Sequence, residues 1–242
     1  MEDAMRRYAL IALLSLAACS GDGNAAAPSG ASANRSFALD GFSAVTAAGP
    51  DDVDVRVGSG FSIRAEGDPK ELDKLEIVRN GDTLEVRRKS NQGFSWGGNS
   101  NRGVKIYITM PRITAASTTG SGDMAIDHVE GDSFKANATG SGDLSIAAVN
   151  VQTVAFSLTG SGSVSSAGTA KVGDFAIKGS GDIDAAKLSV SQASVSVMGS
   201  GGVRATVAGS ASVNVMGSGD VTLTGGAKCT TSKMGSGDIS CS

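Results

Sequence analysis

A Gly-Ser-Gly triplet recurs at near-constant spacing through the C-terminal half of this 242-residue chain. Seven copies begin at Gly120, Gly140, Gly160, Gly179, Gly199, Gly217 and Gly235, at intervals of 20, 20, 19, 20, 18 and 18 residues. A period of this size marks a solenoid, in which each repeat is one coil that buries its apolar face only against neighbouring coils. Aligned on the triplet, apolar residues fall in columns. Four residues on stand Met124, Leu144, Val164, Ile183, Val203, Val221 and Ile239. Two residues before it stand Thr118, Ala138, Leu158, Ile177, Val197, Val215 and Lys233, and four before it Ala116, Ala136, Phe156, Phe175, Val195, Val213 and Thr231. The columns lie two residues apart, which is the strand period, and polar residues fill the positions between. No repeat carries a helical stripe, and Gly with β-branched residues is poor helix material. Tight corners need positive φ or close approach of chains, which Gly supplies. The expected fold is all-β: a single-stranded parallel β-helix (a β-solenoid, taken as right-handed) with a β-rich N-terminal portion.

That portion shows strand alternation without the triplet: Val53, Val55, Val57; Phe61, Ile63, Ala65; Leu75, Ile77; Leu84, Val86; and Val104, Ile106, Ile108. Asn80-Gly81-Asp82 reads as a turn. Asp68-Pro69-Lys70-Glu71-Leu72 reads as one helical turn with Pro near its start. The segment is expected to run into the solenoid and cover its first end, where open strand edges would invite aggregation.

At the N-terminus, Arg6 and Arg7 precede an apolar stretch, Tyr8 to Ala18, that is too short to span a bilayer. Glu2 and Asp3 upstream leave Met1 and Met5 as alternative starts. The stretch ends Leu16-Ala17-Ala18-Cys19, which resembles the lipobox of bacterial lipoproteins. That resemblance implies lipidation of Cys19 and a membrane anchor, and Ser20 after it implies sorting to the outer membrane. The alternative is an ordinary signal peptide with an incidental Cys. The expected organisation is a lipoprotein signal peptide over 1–18, a flexible tether over 19–36, a β-rich part over 37–110 and the β-helix over 111–242. Residues 20–34 are Gly, Ala, Ser, Asn and Pro without apolar periodicity, as a tether should be.

The sequence from Phe37 to Phe42, the alternating charged region, Val104-Lys105-Ile106-Tyr107-Ile108-Thr109-Met110-Pro111 and the Gly-Ser-Gly-Asp ladder together resemble the auto-transporter adhesin head GIN domain family. The likeness covers roughly residues 37–241. It implies a β-helical fold on an exported bacterial protein, and no reaction.

Export exposes Cys229 and Cys241 to an oxidising compartment. Both fall in inward columns, so a disulfide stapling the last coil is expected; the alternative is two free buried thiols. A metal site is disfavoured by a spacing of 12 with no His nearby. Asp123, Asp143, Asp182, Asp220 and Asp238 form a column after the triplet, interrupted by Ser163 and Gly202. The expected role is bonding to corner amides. Asp123, Asp143, Asp220 and Asp238 are weak candidates for Ca²⁺, and paired carboxylates of a glycosidase are a third reading. Phe94 and Trp96, in the loop Lys89–Gly103, are possible binding residues or anchors of that loop. Met198, Met216 and Met234 should face outward, as a stripe for self-association or lateral contact, as corner packing, or as a Cu(I) site. Arg87-Arg88-Lys89 reads as a solvated strand end, and the single His128 has no partner ligand.

Net charge is −3, unchanged when residues 1–18 remove Glu2, Asp3, Arg6 and Arg7, which argues against nucleic acid as a partner. With a single His and a Cys pair read as structural, no Ser/His/Asp or Cys/His set has plausible membership. No cofactor is implied, and the chain reads as non-catalytic: an envelope adhesion or binding module for glycan or protein, or a structural scaffold. The alternative is a polysaccharide-binding or polysaccharide-processing β-helix enzyme. A concave cluster of non-repeated acids and bases on one face would favour a site; a uniform Ser, Thr and Asp ladder would favour a scaffold.

Overall fold

The computed structural model describes residues 32–89 and 103–242. In chain order its elements are β1 (Ala33–Phe37), β2 (Ala44–Gly49), β3 (Asp52–Val57), β4 (Ser62–Gly67), α1 (Pro69–Lys74), β5 (Leu75–Asn80), β6 (Thr83–Arg88), β7 (Lys105–Met110), β8 (Ala115–Gly120) and β9 (Met124–Ile126). The long strands follow: β10 (Val129–Gly140), β11 (Leu144–Gly160), β12 (Ser163–Gly179), β13 (Asp182–Gly199) and β14 (Val203–Gly217). The chain ends in β15 (Val221–Thr224), β16 (Lys228–Gly235) and β17 (Ile239–Cys241). They stack as a parallel β-solenoid of about six turns.

The triplet column becomes a ladder. Gly120, Gly140, Gly160, Gly179, Gly199, Gly217 and Gly235 pair without offset from coil to coil. Their φ values lie between 120° and 132°, a region that L side chains avoid. Each carbonyl accepts the amide of the next coil's Ser, as Ser161 N donates to Gly140 O at 2.9 Å. The inward columns are buried as expected, and Phe156 stacks on Phe175 with ring centroids 5.7 Å apart. Gly173 leaves room for that stack, because a Cβ there would lie 2.8 Å from Phe175 Cζ.

Thr231 and Lys233, the last members of two inward columns, are exposed because no further coil covers them. Here Cys229 and Cys241 form the expected disulfide, joining β16 to β17. Their separation of 12 residues makes the closed loop comparable to one of about 15 residues, for which cross-linking contributes about 3 kcal/mol. The double substitution Cys229→Ala/Cys241→Ala should therefore fray the last coil. Amides of Lys228–Gly235 should exchange faster by hydrogen exchange while those of Leu144–Gly160 keep their protection. Unchanged exchange in β16 would remove the stapling role.

The N-terminal segment enters the solenoid out of sequence order. β2 lies parallel between β6 and β8, and β3 lies parallel between β7 and β9. Gly49 pairs with Gly120, so Gly49-Pro50-Asp51-Asp52 is itself a corner of the ladder. Beyond β6 and β7 the pairing becomes antiparallel: β5 on β6, β4 on β7 and β1 on β4. This covers the first end, as expected. Asp68 caps α1 by accepting the Lys70 amide at 2.8 Å, with Pro69 in the first turn. Gly58-Ser59-Gly60 is no corner; it links β3 to β4. Phe61 precedes β4, remains partly exposed and packs on Phe42 at 4.8 Å, so it does not share the inward column of Ile63 and Ala65.

Candidate functional site

The Asp column braces the corner. Asp123 Oδ1 accepts the Asp143 amide at 2.8 Å, and Asp143 Oδ1 accepts both the amide and the hydroxyl of Ser163 at 2.8 Å. Asp182 Oδ1 accepts Gly202 N at 2.7 Å, and Asp220 Oδ1 accepts Asp238 N at 2.8 Å. Asp52 begins the series by accepting Asp123 N at 3.1 Å. Each carboxylate thus takes up an amide of the next coil. Where Ser163 interrupts the column, the Asp182 amide turns to Gly162 O at 3.3 Å. Among the described residues, no group of three or more His, Cys, Asp or Glu is placed to hold a metal.

At the capped end the sequence reading needs a correction. Arg88 is not part of a solvated strand end. Its Nε donates to Asp51 Oδ2 at 2.5 Å, its Nη2 pairs with Asp51 Oδ1, and its Nη1 donates to Glu71 Oε2 at 2.8 Å. The Asp51 side chain is only 4% exposed, and its Oδ1 also accepts Val104 N at 2.9 Å. Glu71 is bonded as well by Lys74 Nζ at 2.7 Å. That hydrogen bond, opposed by burial and aided by Arg88, holds the Glu71 carboxyl below its ordinary value. Arg87 does stay outside, bridging Glu76 and Glu85, and Lys89 Nζ donates to Asp73 O at 2.7 Å.

Non-repeating groups gather on the outer face of the strand segment that follows each glycine corner. Reading across coils in register, that face presents Tyr107, Asp54, Ala125, Ser145, Ser165, Asp184 and Arg204. A depression of about 440 Å³ is lined by Asp54, Arg56, Ala125, Asp127, Ser145, Ala147 and Ser165. It meets a second, of about 260 Å³, that shares Ile146, Ala147 and Ser165 and adds Ser166, Ala167, Asp184 and Lys187. The two form one groove.

A shortened corner borders its second half. Between Ile146 and Val149 the corner holds two residues; between Ser166 and Gly168 the next coil holds only Ala167. Gly168, at φ 125°, closes the shortened corner, where any Cβ would strike Val149 O. This is the 19-residue interval of the sequence. The signal was present in the spacing, but the groove was not named from it.

The rim is mixed in charge and fixed. Arg56 Nε donates to Asp54 Oδ1 at 3.3 Å. Asp127 Oδ1 accepts the amides of Val57 at 2.9 Å and His128 at 2.6 Å, and its Oδ2 lies 3.2 Å from His128 Nδ1. Past Asp54, Tyr107 carries the Arg64 guanidinium 4.8 Å above its ring and the Lys105 ammonium at 5.5 Å. Both partners can contribute to cation–π attraction.

Met198, Met216 and Met234 lie in register on another face and are 36%, 42% and 74% exposed, the outward stripe expected. Cys19, Phe94 and Trp96 lie outside the described residues, as do the signal segment 1–18 and residues 19–31, whereas residues 33–36, read as tether, belong to β1 and pair with β4.

Coils in register, a glycine corner braced by carboxylates and one lateral groove define a parallel β-solenoid whose repeats are architecture and whose irregular face is the candidate site. The model of the family described as "Putative auto-transporter adhesin, head GIN domain" matches residues 41–227, and the chain belongs to that family. Three solved structures share the fold. One, described as a "putative adhesin" from Bacteroides fragilis, is 21% identical with a TM-score of 0.80. Two come from Parabacteroides distasonis: a "putative lipid binding protein", 23% identical with a TM-score of 0.68, and a "putative adhesin", 20% identical with a TM-score of 0.70. In each case 88% of this chain and 98% of the other is covered. Among curated proteins, none matches.

Proposed function

We propose that this protein is a non-catalytic binding module of the bacterial cell envelope, exported and anchored to the outer membrane by lipid at Cys19. The observation that carries the reading is the groove: a concave, mixed-charge surface formed by residues that do not repeat from coil to coil. A site that lies in the non-repeating residues is what a ligand-binding solenoid needs, because curvature and irregularity create its contact surface. The family's description as an adhesin head agrees with it. The rim carboxylates support binding over catalysis, since Asp54 and Asp127 already accept hydrogen bonds from Arg56 and from fixed amides. The lipobox-like Leu16-Ala17-Ala18-Cys19 supports the anchor.

Two measurements test this. Labelled palmitate should enter the full chain expressed in a Gram-negative host and be absent from Cys19→Ala; persistent label removes the anchor. The purified full chain should be retained on immobilised envelope preparations and not on albumin; equal passage over both removes the binding reading.

A further inference from the structure

Resting on the binding-module reading, we infer that the groove takes a neutral polysaccharide strand lying along the solenoid axis. From the coil of Asp54 to that of Asp184 is four coil steps, or about 19 Å at the spacing of paired strands. That length suits a short oligosaccharide. The centre of the floor is Ala125, Ser145 and Ser165, small enough to let a sugar ring approach the sheet and equipped with hydroxyls to meet it.

Each end carries both signs: Asp54 beside Arg56, and Asp184 with Lys187. A polymer of one charge sign meets repulsion at both ends, whereas sugar hydroxyls donate to the carboxylates and accept from the cations. An extended peptide finds no strand edge here, because the floor strands β9, β11, β12 and β13 are already paired on both sides.

Titration calorimetry of the full chain with cellotetraose, mannotetraose and chitotetraose as neutral probes, and tetragalacturonate as the anionic one, tests the inference. At least one neutral probe should bind, with Kd at least tenfold weaker in Ser165→Tyr and unchanged in Ser157→Tyr, which lies in β11 before the glycine corner and outside the groove. Lys187→Ala, on the exposed rim, should weaken it severalfold without touching the core. No neutral binding, tighter binding of tetragalacturonate, or equal effects of Ser165→Tyr and Ser157→Tyr would overturn the groove assignment. If the wild type is retained on envelope preparations and Ser165→Tyr is retained equally, the groove assignment falls while the binding-module reading stands. Passage of the wild type through envelope preparations together with no neutral binding removes both.

Discussion

Gly160→Ala is expected to destabilise the solenoid by about 2–6 kcal/mol, the sum of two separable penalties. Gly160 holds φ 123°, and holding a non-Gly residue in such a region costs about 1–3 kcal/mol. A Cβ there would also strike the carbonyl oxygen of Gly140, a backbone atom fixed by its own hydrogen bonds, and forcing atoms into packed space costs about 1–3 kcal/mol. Two other glycines isolate the terms. Gly131 has φ 137° but open space around a Cβ, so Gly131→Ala carries the backbone penalty alone. Gly142 is not in the left-handed region but meets Gly122 O, so Gly142→Ala carries the collision alone. In urea unfolding followed by circular dichroism, Gly160→Ala should lose about as much as the two together. If Gly160→Ala and Gly131→Ala lie within about 1 kcal/mol of each other, close coil approach is not what selects Gly at the corner.

What could be read in the sequence was whatever repeats locally. The columns, the corner glycines, the outward Met198–Met216–Met234 stripe and the Cys229–Cys241 pair all follow from registration on one triplet, because each coil contacts the next at a constant offset. Thr231 and Lys233 depart from their columns only because the array ends.

What escaped was non-local. The β2–β3 coil carries no Gly-Ser-Gly at its corner, and its chain leaves for β4, α1 and β5 before β6 and β7 return beneath it. Its corner is Gly49-Pro50-Asp51-Asp52, where Pro50 and Asp51 replace Ser and Gly. Arg88 looked solvated because its partner Asp51 is 37 residues away and reaches it only through this out-of-order stacking. The groove needed both kinds of information. The 19-residue interval marks a missing residue, but only the register places that corner on the same face as Ser145, Ser165 and Asp184.

Arg88→Met should be the most damaging substitution at the capped end, at about 3–5 kcal/mol, because it leaves a buried carboxylate without its counter-charge. Asp51 would keep only the Val104 amide, and the Glu71 carboxylate would keep Lys74. The double variant Asp51→Asn/Arg88→Met removes the stranded charge and should recover a large part of the loss. That recovery separates a charge effect from lost packing of the Arg side chain. Acid offers an independent reading. Glu71 has its carboxyl lowered in the folded chain, so the stability it contributes is fully present above its ordinary value of 4.5 and is lost as pH falls through the lowered folded value. Arg88 adds to that lowering after Lys74, so the wild type should lose more stability between neutral and acid pH than Arg88→Met does. Urea midpoints measured from pH 7 to pH 3 give both curves. Parallel curves, together with no recovery in the double variant, would mean that the cap is held by packing and that its ion pairs contribute little. Converging curves would show that the chain's out-of-order coil is locked to its cap by charge, at the one corner where the glycine repeat gives way to Pro50 and Asp51.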